Sequence, residues 1–93
     1  MNTFRKGDLV RPKPPLFPWE VAWPVSEVPT AANSVPLRED WLYEVTRGRA
    51  APVVSGRVQR HCIQVQCLMS GQLLWVKRHY VGPAHELGDR RQA

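Results

Sequence analysis

Prolines are the strongest constraint on this chain. Between residues 12 and 40 they fall at Pro12, Pro14, Pro15, Pro18, Pro24, Pro29 and Pro36. Each lacks a backbone N–H and fixes φ, so no long helix can run through this segment. Extended or polyproline-II backbone is what remains. Yet Phe17, Trp19 and Trp23 make the stretch too aromatic for a flexible tether. Two of the four tryptophans lie in it. Connections this long are uncommon in compact domains unless they serve a use.

Strand signals flank the segment. Gly7-Asp8 makes a turn, and Leu9-Val10-Arg11 follows as a short strand stopped by the prolines. Trp41 to Thr46 is a strand by β-propensity, with Trp41, Tyr43 and Val45 on one face. Inside the segment, Trp19, Val21 and Trp23 alternate with Glu20 and Ala22, as an edge strand would. Thr30 to Ser34 is small and polar, and is the expected mobile tip.

Arg47-Gly48-Arg49 reads as a turn, and Val53-Val54 as a short pairing before Ser55-Gly56. Arg57 to Leu68 reads as the longest strand. In it Ile63, Val65 and Cys67 face one way, while Cys62, Gln64 and Gln66 face the other. Met69 to Gln72 is a hairpin turn with Gly71 available for positive φ, and Leu73 to Lys77 returns. A single 3₁₀ turn over 77–80 and a last short strand from Val81 complete the domain, residues 1–83. Residues 84–93 form a polar tail.

A Gly-Asp-x-Val opening, a Tyr-x-Val strand, a Gly-x-x-x-Trp-Val hairpin and a terminal Val-x-Pro stand in this order. The series resembles the small SH3-like barrels of short bacterial and bacteriophage proteins. The resemblance covers Lys6 to Val10 and Trp41 to Pro83. It implies an all-β fold, an SH3-like barrel of about five strands, with residues 14–40 as an ordered Pro/Trp-rich loop insertion. It supplies no catalytic residues and no family-defined function.

Composition narrows the chemistry. The 93 residues make one domain, and 43% hydrophobic content is too high for wholesale disorder. A chain of this size buries only about 60–65% of its unfolded surface, so a long loop can supply part of the core. Met1 to Asp8 turns charged before any apolar run, unlike a secretory signal. The longest apolar runs, such as Leu73 to Val76, are strand-sized, so no membrane span is expected. The expected setting is the cytoplasm. Cys62 and Cys67, five apart on one strand, would sit roughly 16 Å apart on opposite faces. A disulfide needs about 7 Å or less, so free thiols are expected.

His61, Cys62, Cys67 and His79 offer metal-ligand atoms without the paired knuckles of a zinc site. A Cys62–His79 nucleophilic pair lacks an orienting third group. The carboxylates Asp8, Glu20, Glu27, Glu39, Asp40 and Glu44 form no acid/base pair, and Asp8 suits closure of its own turn. The glycines stand singly, so there is no phosphate loop. Neither cofactor nor metal is expected.

Two surfaces remain. The net charge of +5 is compatible with polyanion binding, and Arg47, Arg49, Arg57, Arg60, Lys77 and Arg78 would lie near one another on a barrel rim. The same charges would also serve as edge protection. Phe17, Trp19 and Trp23 either fold over the core or present an apolar patch to a partner. The overlapping Pro-x-x-Pro spacing of Pro12 to Pro18 would serve a partner only if exposed.

The leading expectation is a non-catalytic protein-binding or self-associating module, with Phe17, Trp19 and Trp23 as partner-binding residues. The alternative is a nucleic-acid-binding barrel using the arginine rim. A third is an oligomeric enzyme with a pore-type site. A short basic chain of this style also suits an accessory protein of a phage or mobile element.

Overall fold

The computed structural model describes residues 3–85; the expected tail over 84–93 lies outside them from residue 86 onward. The fold is all-β. Among the described residues nine short strands form, rather than about five: β1 Leu9–Pro12, β2 Val21–Pro24, β3 Val35–Pro36, β4 Tyr43–Ala50, β5 Val53–Val54, β6 Arg57–Val58, β7 Cys62–Cys67, β8 Leu73–Lys77 and β9 Val81–Pro83. A 3₁₀ turn, Arg78–Tyr80, joins the last two. Seven strands make one curled, half-barrel sheet in the order β3-β2-β8-β7-β4-β1-β9, and β5 and β6 make a separate hairpin. Every neighbouring pair is antiparallel.

Prolines punctuate this sheet. Strands β1, β2, β3 and β9 end on Pro12, Pro24, Pro36 and Pro83. Proline has no N–H to give a ladder, so each of these strands stops where one occurs. The two outermost strands, β3 and β9, are also very short, and short proline-ended edges resist pairing with other chains.

The segment between β1 and β4 is therefore not only an insertion. It contributes β2 and β3 to the main sheet. Trp19, Val21 and Trp23 do not form an edge strand, because β2 begins at Val21 and lies between β3 and β8. The Thr30–Ser34 tip is cross-bonded. The Thr30 N–H donates to Asn33 Oδ1 at 2.8 Å, and Asn33 Nδ2 donates to the Val28 carbonyl at 2.9 Å.

Alternation along the strands builds two clusters. Val10, Ala22, Tyr43, Val45, Ile63, Val65, Cys67, Leu74, Val76 and Val81 form the main core, closed by Phe4 and Leu37. On the other face of the sheet, Trp23 and Cys62 pack with Val54, flanked by Val21, Ala50 and Trp75. Trp23 stands opposite Trp75 in the β2–β8 register. Val54 belongs to the β5–β6 hairpin, so this hairpin caps the second cluster. Ser55 and Gly56, both at positive φ (51° and 81°), make its two-residue turn. The hairpin is held to the connection by the Ser55 N–H, which donates to the Pro29 carbonyl at 3.1 Å. Cys62 and Cys67 are free thiols on opposite faces, one in each cluster.

Two sequence expectations about the strands fail locally. Arg47-Gly48-Arg49 is not a turn but part of β4, whose pairing with β7 shifts register on both sides of Arg47. Such bulges bend a strand and increase its twist, which suits a curled sheet. Gly48 is required there, because a Cβ at this position would collide with the Phe4 carbonyl oxygen. Arg57 to Leu68 is not one strand. β6 ends at Val58 and β7 starts at Cys62, with His61 between them at φ 61°. That left-handed residue ends the straight run and redirects the chain from the hairpin into the sheet.

Candidate functional site

One end of the sheet gathers the charged and aromatic groups. Strand polarity decides this. β2 and β7 begin at that end, and β8 and β4 finish there, because β2–β8, β8–β7 and β7–β4 are all antiparallel. The residues just outside these strand ends therefore meet although they are far apart in sequence.

The first group is a cleft of about 560 Å³, lined by Arg49, Ala50, Ala51, Arg60, His61, Cys62 and Arg78. Ala50 and Cys62 are register partners and form part of its wall. Arg49 precedes Ala50 at the end of β4, Arg60 and His61 precede β7, and Arg78 follows β8. The Arg78 N–H donates to the His61 carbonyl at 2.8 Å. Its guanidinium also lies 3.5 Å from His61 Nδ1. Three guanidinium groups thus border one cleft, and among the described residues no carboxylate lines it. Together they favour an anion there.

Cys62 in the wall is a buried free thiol. Burial pushes its thiol pKa above the ordinary 9.0, and the nearby Lys77 charge offsets this only in part. A thiol held neutral attacks poorly. The His79 ring instead packs edge-on against Tyr80, with centroids 4.6 Å apart.

The second group is the turn before β2. The Phe17 N–H donates to Glu20 Oε2 at 2.8 Å, and the Glu20 N–H donates to the Phe17 carbonyl at 2.9 Å. These reciprocal bonds close a tight turn and stack the Phe17 and Trp19 rings, with centroids 4.8 Å apart and planes within 1° of parallel. Phe17 is 47% exposed and Trp19 68%. With Phe17 against one face of the indole, that exposure leaves the other face to water. Burial raises the Tyr80 pKa, with the Glu20 charge adding to it. The Lys13 N–H donates to the Tyr80 carbonyl at 2.8 Å, which ties the start of the proline-rich connection to the 3₁₀ turn that contains Arg78.

The residues anticipated from the sequence divide unequally. Arg49, Arg60 and Arg78 come together. Arg47 stands exposed on β4 opposite Gln64, Arg57 is on the β5–β6 hairpin, and Lys77 is half-buried opposite Cys62; none of the three lines the cleft. Phe17 and Trp19 are exposed as a pair, whereas Trp23 is 8% exposed and belongs to the second cluster. It packs with Val54 and stands opposite Trp75, away from water. His61 is the lining residue that the sequence did not single out for this surface. Only the antiparallel register brings it to Arg78.

A second concavity of about 510 Å³ lies at the β1 side of the sheet, against Gly7, Leu9, Arg11, Leu42 and Ala84. Two of the Arg11 nitrogens, Nε and Nη1, are buried there without a hydrogen-bond partner among the described residues. Among the described residues, no helix is long and apolar enough to cross a membrane. The chain matches no protein-family model, no curated protein and no solved structure.

Proposed function

We propose that the protein is a non-catalytic binding module that holds a phosphate-bearing polyanion, nucleic acid in the first instance, at the arginine end of its sheet. The observation that supports this is the meeting of Arg49, Arg60 and Arg78 around one cleft, with no carboxylate in its lining among the described residues. Scattered surface charge is ordinary, but three guanidinium groups on one concavity repel one another until an anion arrives. The chain's net charge of +5 adds long-range attraction. The short bacterial and phage SH3-like barrels remain the fold comparison we favour, on the motifs and on the 3₁₀ turn before the last strand.

The test is fluorescence anisotropy with a labelled single-stranded 12-mer in 50 mM salt. Wild type is expected to bind, and replacing Arg49, Arg60 and Arg78 together by alanine is expected to weaken binding at least tenfold. No binding by wild type, or equal binding by the variant, would remove the proposal.

A second reading is favoured by the exposed Phe17–Trp19 stack: docking of a protein partner or a second copy. Two rings this exposed present on the order of 250 Å². A standard protein interface needs about 800 Å² per partner, so the stack alone is too small for one. Sedimentation would favour self-association if the chain were a dimer and Trp19→Ala a monomer.

A further inference from the structure

Resting on that polyanion reading, we infer that the ligand is single-stranded nucleic acid, with a base stacked on Trp19 while its phosphates lie along Arg78, Arg60 and Arg49. The geometry points to this through strand order. The aromatic turn leads into β2, Arg78 leaves β8, Arg60 and His61 lead into β7, and Arg49 closes β4. Neighbouring strands are about 4.8 Å apart, so these groups span roughly 15 Å across one end of the sheet.

A flat platform and a cationic track this close are two halves of single-strand recognition. The track holds phosphates, and the ring accepts a base of any sequence because every base has a π-face. The Phe17–Trp19 stack is already built for that role. Phe17 supports one face of the indole, and the Glu20 carboxylate fixes the turn from below by accepting the Phe17 N–H. Trp19 therefore has a set orientation and an open face, where a lone exposed tryptophan would not. In a duplex the bases are stacked on one another and only their edges are reachable in the grooves, so it would offer the track its phosphates and leave the platform empty.

The experiment uses three labelled 12-mers: oligothymidylate, an abasic strand of the same length, and a blunt duplex. Oligothymidylate is expected to bind about tenfold tighter than the abasic strand, and to quench tryptophan emission on binding. A tenfold effect is the order expected for one base on an aromatic platform. Trp19→Ala is expected to remove that advantage and to leave abasic binding unchanged. Trp19→Phe is expected to restore most of it, which separates stacking from any effect on folding. Equal affinity for the oligothymidylate and the abasic strand would overturn the inference while leaving the polyanion reading standing. So would tighter binding of the duplex. Failure of all three to bind would overturn both.

Discussion

Trp19 and Trp23 lie four residues apart in one proline-rich segment, and they meet opposite environments. Trp23 is inside a paired strand, with Trp75 across from it and Val54 above. Trp19 sits in the turn before the ladder begins and is largely exposed. The difference is set by where strand pairing starts, not by residue type. One indole stabilises the scaffold; the other is left exposed.

The largest expected effect breaks or upholds that contrast directly. Trp23→Ala is expected to cost about 3–5 kcal/mol of stability, as large aromatic truncations in cores do. Trp19→Ala is expected to change stability by less than about 0.5 kcal/mol, as exposed substitutions do. Urea denaturation of both variants measures this. Similar losses in the two would mean that the turn belongs to the core.

Gly48→Ala comes next. Its new methyl group would meet the Phe4 carbonyl, and displacing the N-terminal segment from the bulged strand is expected to cost about 2–3 kcal/mol. The same denaturation experiment checks it, and an unchanged midpoint would show that the approach of Phe4 to β4 is not needed. By contrast, alanine at Arg49, Arg60 and Arg78 together is expected to leave stability within about 1 kcal/mol of wild type, since each group is at the surface or half-exposed. That variant sharpens the division between the scaffold and the proposed binding end.

The smallest effect is on pH. Burial is the main cause that raises the pKa values of Tyr43 and Tyr80 above the ordinary 10.0 and that of Cys62 above 9.0. The folded chain holds these protons more tightly than the unfolded chain. The resulting stability is complete below the unfolded values and is lost as pH rises through the folded ones. Stability is thus expected to be flat to about pH 8 in respect of these groups and to fall as the solution passes through 9 and 10. Thermal melts across that range check the sign; a rise in midpoint above pH 9 would contradict it.

Much of the scaffold was legible. The alternation Ile63-Val65-Cys67 named the buried face of β7, Gly71 marked the last hairpin, and the 3₁₀ turn fell where expected. What failed has physical causes. Arg47-Gly48-Arg49 has turn composition, but Gly48 is there to admit the Phe4 carbonyl. The run from Arg57 to Leu68 has no proline or glycine to show its break, which occurs at a histidine in the left-handed region. β2 is four residues long and owes its place to β8, a partner about fifty residues away in sequence. The cleft was half legible. Its arginines were among the candidates, but which three converge depends on the register of three strands, β4, β7 and β8. No local pattern encodes that.

The most direct measurement is the salt dependence of oligonucleotide binding, for wild type and for the variant lacking Arg49, Arg60 and Arg78. Three phosphate contacts on a single strand give a slope of log affinity against log salt of about −2. Wild type is expected to show that slope, and the variant one near zero. A wild-type slope near zero, or a steep slope that survives the three substitutions, would contradict the assignment of the arginine cleft as the phosphate site.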